Sequence, residues 1–302
     1  MDIDLADTYV INLDHCTKRM ASIKRDLQQH GIPFKRWSAV NGKRMVHKAS
    51  ALCRTFLCSP GMIGCYLSHY TLWQHIDMEY TCKKNNPAKT WFLIFEDDTR
   101  LSAHFEDTMF KLKQDLQQWQ HVHAPYPELI HLGCPFCAFG HPPITNVLSR
   151  GGVMTYTMGY MVSLTGIKKL LMHMPKQPVY HVDVAMSLHA VKHMAYYVSK
   201  PCVYTFDNYV STVSSNSSPI LLKLLLNALL RAFNKENSLV SVSWNVTLFH
   251  VGHTQINGLI FVYMILIGFL ARHRHWYFIL ALVVIEAVLA CAFAMSPKKI
   301  EC

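Results

Sequence analysis

Residues 90–98 read Thr-Trp-Phe-Leu-Ile-Phe-Glu-Asp-Asp, and this stretch limits the choice of fold more than any other. A strand that is apolar on both of its alternating faces must be covered on both sides, so it belongs in the middle of a sheet with helices above and below. The rest of residues 1–215 agrees, with short apolar runs alternating with helical patterns in the manner of βαβ units. Thr8–Leu13 reads as a strand and Thr17–His30 as a helix. Gly31-Ile32-Pro33 breaks that helix, and a second strand starts near Phe34. A long helix runs from Gly61 to Tyr80 and is closed off by Asn85-Asn86-Pro87. The expected class is α/β, with Ser211–Pro219 as a linker.

The chemistry gathers where the apolar strand stops. Glu96, Asp97 and Asp98 stand side by side at its carboxyl end, where open α/β sheets bind ligands. Three adjacent carboxylates repel one another unless a cation lies among them, and hard oxygen donors suit Mn²⁺ or Mg²⁺. A solvated acidic turn capping the next helix is the competing reading. Neither G-x-x-x-x-G-K-[ST] nor G-x-G-x-x-G occurs, so a bound diphosphate would need a metal and cationic side chains in place of a backbone cradle. Lys18, Arg19, Lys24, Arg25, Lys35, Arg36, Lys43 and Arg44 supply the cations, or else simply solvate the helix faces.

Beyond residue 215 the composition changes. The 302-residue chain is 51% hydrophobic and only 16% charged, with a net charge of +10, and the surplus of apolar residues gathers at this end. Lys223, Asn227 and Arg231 share one face of a leucine-rich helix starting at Pro219, which fits a bilayer interface or a core-packing role. Ile256–Ala271, extendable back toward Phe249, and Trp276–Met295 are apolar apart from Asn257 and Glu286. A two-span hairpin and a single span plus a buried helix both fit, and the hairpin is the expectation. The division is therefore 1–215 α/β domain, 216–255 linker and interfacial helix, and 256–302 transmembrane hairpin and tail. The acidic N-terminus has no leader pattern, which with the anchor gives a membrane protein whose α/β domain faces the cytosol. Ten cysteines without framework spacing suggest no disulfide scaffold.

Several blocks carry a resemblance. YVINLDHCTKRMASIKRDLQQHGIPFKRWSAVNGK, GMIGCYLSHYTLWQHI and WFLIFEDDTRLS, in that order, resemble the opening blocks of glycosyltransferase family 25. Leu129–Gly133, Gly159–Leu171, Pro178–Asp183 and Phe206-Asp207 resemble its later ones. The likeness covers roughly residues 7–215. It implies a GT-A-like nucleotide-sugar-binding domain that uses Mn²⁺ or Mg²⁺ and transfers a hexose, most often galactose, from a UDP-sugar with inversion. Acceptors would be a lipid-linked glycan or a protein. Glu96 and Asp98 match the metal-binding carboxylates, with Asp97 between them on the cofactor side. Asp183 or Asp207 would be the base, Asp183 being preferred. Asn12 and Asp14 would read the nucleoside, Arg19 and Arg25 would meet phosphate, and Ser68 and His69 would border the sugar.

Other signals are weaker. Cys134-Pro135-Phe136-Cys137 is a lone CxxC with no second pair, and His189/His193 lack the glutamate of a metalloprotease helix. Asn216 and Asn245 head glycosylation sequons. No helix-turn-helix, zinc or RNP pattern supports nucleic-acid binding. A catalytically inactive GT-A-like membrane scaffold is the alternative from a different class.

Overall fold

The computed structural model describes residues 4–45, 60–83, 86–122, 124–133, 143–152, 156–178, 181–206, 247–251 and 254–295. The chain divides into two compact units, one carrying the elements through residue 206 and the other those from Thr247 onward.

In the first unit, seven strands form one mixed sheet: β1 (Asp4–Asn12), β2 (Lys35–Ser38), β3 (Thr90–Glu96), β5 (Leu129–His131), β6 (Leu148–Arg150), β7 (Gly159–Ser163) and β8 (Tyr196–Ser199). Their order across the sheet is β2-β1-β3-β7-β5-β8-β6. The pairs β1–β2, β1–β3 and β5–β8 are parallel, whereas β7 runs antiparallel to both β3 and β5. A small ribbon, β4 (Thr99–Leu101) with β9 (Tyr204–Phe206), continues directly from β3. β3 is central and buried along its length except at Glu96, as its apolar run demands.

Strand alternation sorts the core into two layers. Val10, Trp91, Leu93, Phe95, Ile130 and Met161 pack with Ile23 and Leu27 of α1 (Thr17–Gln29) and with Leu112 and Leu116 of α3 (Phe105–Gln117). Phe92 and Tyr160 project to the other side, where they meet Tyr80 and His69 of α2 (Pro60–Tyr80). α4 (Leu164–His173) and α5 (Val182–His193) complete the helices described in this unit, and Ser163 caps α4 by accepting from the Gly166 N–H at 3.0 Å. α1 ends at Gly31, whose φ of 62° lets Ile32 N–H return to Leu27 O at 2.9 Å. Cys16, just before α1, is disulfide-bonded.

The second unit holds a β-hairpin, β10 (Thr247–Val251) with β11 (Thr254–Asn257), followed by α6 (Gly258–Arg272) and α7 (Trp276–Met295). The first apolar segment therefore does not extend back to Phe249, which lies in a strand paired with β11. α6 and α7 are joined by a turn through Arg274 at φ 61°. The two membrane spans expected of them are not found: among the described residues no helix is long and apolar enough to cross a membrane. At 15 residues α6 reaches only about 22 Å. The linker and the basic helix from Pro219 lie outside the described residues.

Candidate functional site

The sheet changes winding direction at β1, which has β2 on one side and β3 on the other. Such a switch point opens a crevice beyond the carboxyl ends of the two strands that flank it. Asn12 closes β1 at that crevice and the acidic turn closes β3. Asn12 is buried and fully engaged: its Nδ2 donates to Asp97 Oδ2 at 2.7 Å and to Cys16 O at 3.0 Å, and its Oδ1 accepts from Arg36 Nε at 2.8 Å. Through these bonds it braces the turn. Asp14 remains exposed, tied to Arg36 and Ser38, whose hydrogen bonds hold its carboxyl below the ordinary value.

Arg19 is buried on the inner face of α1, with Nη1 3.4 Å from Asp97 Oδ1 and 3.9 Å from Asp98 Oδ2. It pairs with both carboxylates. Arg25, on the same helix, lies exposed and outside this cluster.

The three carboxylates diverge. Asp97 is the buried one, pushed up by burial although Asn12 and Arg19 oppose that rise. Asp98 keeps 30% side-chain exposure, yet its Oδ1 is buried with no hydrogen-bond donor among the described residues. Burial and the charges of Glu96 and Asp97 raise it to about 7. Glu96 turns toward α2, where Oε1 accepts from Thr157 Oγ1 and lies 3.3 Å from His69 Nε2. Burial pushes Glu96 up, but His69, Thr157 and Arg19 together hold it below the ordinary value. The two expected metal ligands thus face different neighbours, and among the described residues no third ligand joins Asp98 in a ready-made trio.

His69 belongs to a buried polar chain. Trp73 Nε1 donates to Tyr160 Oη at 2.9 Å, and Tyr160 donates its own proton to His69 Nδ1 at 2.9 Å. That leaves the Nε2 proton directed at Glu96. Tyr160 lies opposite Ile94 in the β3–β7 register, so the chain crosses from α2 to the sheet. Ser68 is structural: its Oγ donates to Gly64 O at 2.6 Å and accepts from Val40 N–H at 2.8 Å. Asp183 sits in the first turn of α5, its Oδ1 accepting from Val184 N–H at 2.7 Å. Burial, reinforced by the Glu96 charge, raises it to about 7. Cys65, overlooked in the sequence, lies one turn before His69, and burial and the charges of Glu96, Asp183, Asp98 and Asp97 push its thiol up. Asp207 lies outside the described residues, as do the CxxC pair and both sequons.

With one arginine among three adjacent carboxylates and an orphaned Asp98 oxygen, the donor set suits a hard divalent cation. A family model for glycosyltransferase family 25 (LPS biosynthesis protein) matches residues 6–186. The chain belongs to glycosyltransferase family 25. Among relatives, it is 30% identical over 207 residues to procollagen galactosyltransferase 1-A of Xenopus laevis, covering 62% of this chain and 31% of that protein. It is 27% identical over 126 residues to probable inactive glycosyltransferase 25 family member 3 of Bos taurus, covering 41% of this chain and 19% of that one. The chain thus spans about a third of the length of procollagen galactosyltransferase 1-A. A solved glycosyltransferase involved in glycosylation of the major capsid of PBCV-1 covers 65% of this chain and 93% of its own, at 10% identity. Its TM-score of 0.24 is too low to inform the fold.

Proposed function

We propose that this family 25 protein is a hexosyltransferase with a GT-A-like donor site, moving galactose or a close relative from a UDP-sugar to a hydroxyl of a glycan, lipid-linked or protein acceptor with inversion. One observation carries the reading: a buried carboxylate oxygen of Asp98 without a donor among the described residues, at the end of a central strand and beside the sheet's switch point. Mn²⁺ or Mg²⁺ would be held by Asp98. When bound, it would neutralise charge on the departing diphosphate as a Lewis acid.

The protein groups divide the remaining work. Arg19 offsets Asp97 and Asp98 so that the turn folds before any cation arrives. Asn12 holds Asp97 in place, leaving Asp98 toward the crevice. Asp183, raised to about 7, titrates near physiological pH, where a general base works best. It takes the acceptor hydroxyl's proton as that oxygen attacks the anomeric carbon.

Two further points belong to this reading. Phe261, Met264, Ile265 and Phe269 of α6 and Trp276, Phe278 and Leu280 of α7 are exposed; apolar surface of this kind supports association of the hairpin with a bilayer. The disulfide at Cys16 favours an oxidising compartment over the cytosol expected from the sequence.

The test is UDP release from a panel of UDP-sugars, with Mn²⁺ and with EDTA, for wild type and Asp98→Ala. Metal-dependent release from one donor, lost in the variant, is expected. The relative named probable inactive glycosyltransferase 25 family member 3 of Bos taurus gives the second reading, a binding module without turnover. Absence of both turnover and calorimetric donor binding across the panel would overturn the transferase reading, and donor binding without turnover on any acceptor would select the binding module.

A further inference from the structure

Among the described residues, one group of side chains gathers soft and hard ligand atoms at coordination range, and it is not the Asp98 position. Cys65 Sγ, a His69 ring nitrogen and a Glu96 oxygen all lie within 4.8 Å of one another. Cys65 and His69 are spaced i, i+4 on α2, which puts them on one helix face, and Glu96 meets them from the end of β3. Cys65 is a free thiol.

The spacing also suits a metal. His69 Nε2 and Glu96 Oε1 stand 3.3 Å apart, a loose hydrogen bond. Two ligands on a tetrahedral zinc, each about 2 Å from the ion, stand ~3.4 Å apart. The sulfur needs to approach by no more than about 1 Å, within reach of a small χ1 adjustment.

The supporting shell is already built. A ligating histidine donates its other ring N–H to a fixed acceptor, and Tyr160 Oη is 2.9 Å from Nδ1, anchored by Trp73. With Nε2 on the metal, the ring proton moves to Nδ1 and is donated to Tyr160 Oη, reversing the direction of that hydrogen bond. Charge also balances: one thiolate and one carboxylate neutralise a divalent ion, so a largely buried site carries no net charge. Binding releases the Cys65 proton to bulk water, and solvent or a neighbouring oxygen completes the coordination.

We propose that Cys65, His69 and Glu96 form a site for a borderline-soft divalent cation, zinc by its mixed sulfur, nitrogen and oxygen ligands, distinct from the hard-cation position at Asp98. The site does not depend on the donor-sugar reading. Filling it cross-links α2 to the end of β3.

The test uses the full chain stripped of metal, handled under argon without reductant so that the Cys16 disulfide stays closed, and titrated with Co²⁺ and then Zn²⁺. One equivalent of Co²⁺ should give a thiolate-to-cobalt band in the near ultraviolet together with the intense visible bands of four-coordination, and Zn²⁺ should displace it. Cys65→Ser, a near-isosteric change, should remove the near-ultraviolet band and weaken Zn²⁺ binding at least tenfold. His69→Gln, checked for native circular dichroism, should do the same. Asp98→Asn should leave the band intact. A band of equal strength in Cys65→Ser would put the metal on another cysteine and overturn the proposal. So would absence of the band in wild type, or its loss in Asp98→Asn with retention in Cys65→Ser.

Discussion

Replacing Asp98 by asparagine should make the metal-free protein more stable while removing its donor chemistry. Burial and the charges of Glu96 and Asp97 raise Asp98 from 3.8 to about 7. A carboxyl whose folded-state pKa is raised binds its proton more tightly in the folded protein, so ionising it opposes folding. The penalty is complete above pH 7, shrinks as pH falls, and vanishes well below pH 3.8. At 1.36 kcal/mol per pH unit, the gap corresponds to about 4 kcal/mol at pH 8 and about 1.6 kcal/mol at pH 5. The side chain is 30% exposed, and solvent over that part screens the repulsion, leaving roughly 2–3 kcal/mol at pH 8. Thermal melts in EDTA should therefore place Asp98→Asn about 4–12 °C above wild type at pH 8, given roughly 2–4 °C per kcal/mol for a protein of this size. The gain should fall by more than half at pH 5. A lower melting temperature at pH 8, or the same gain at both pH values, would refute the idea that charge repulsion at this turn is stored strain.

Arg19→Met removes the cation paired with Asp97 and Asp98 and should cost about 3–5 kcal/mol by chemical denaturation, with part of the loss recovered at pH 5. Asp183→Asn should lower kcat by about 10²–10⁴ while calorimetry shows donor affinity within threefold of wild type; an equal loss of donor binding would take the base role away from Asp183. Reduction of the Cys16 disulfide should lower stability by about 2–4 kcal/mol, visible as a drop in melting temperature with reductant that a Cys16→Ser variant no longer shows.

Much of the fold was legible because its strongest signals are local. The apolar run before Glu96 marked the central strand, and Gly31 marked the end of α1. β1 begins earlier than its apolar core suggests, because Asp4 and Asp7 disguise a segment that pairs with Thr90 and Phe92 across an irregular register. β4 and β6, of three residues each, are too short to show periodicity. At the site, the carboxylates were visible as types, but their partners were not. Arg19 meets Asp97 across 78 positions and Tyr160 meets His69 across 91. Nothing in the local sequence distinguishes an arginine aimed at phosphate from one aimed inward at a carboxylate. Cys65 gave only an i, i+4 relation to His69, which becomes informative when β3 brings Glu96 alongside.

The entry of α2 is fixed by main chain alone. A Cβ on Gly64 would come within 2.6 Å of Val40 O and 2.8 Å of Gly42 N, and one on Gly42 would strike the Pro60 carbonyl. Two glycines thus let a loop and a helix lie in contact with nothing between them, and Ser68 stitches the same junction through Val40. Cys65 is the next residue along the helix, and His69 stands one turn beyond it. In a mutational scan of activity, Gly42 and Gly64 should be as intolerant as residues that handle substrate, although neither has a side chain with which to do so. Sorting the scan by chemistry would mistake them for part of the reaction. Sorting it by backbone clearance would show them as the hinge pins on which the reacting groups are hung.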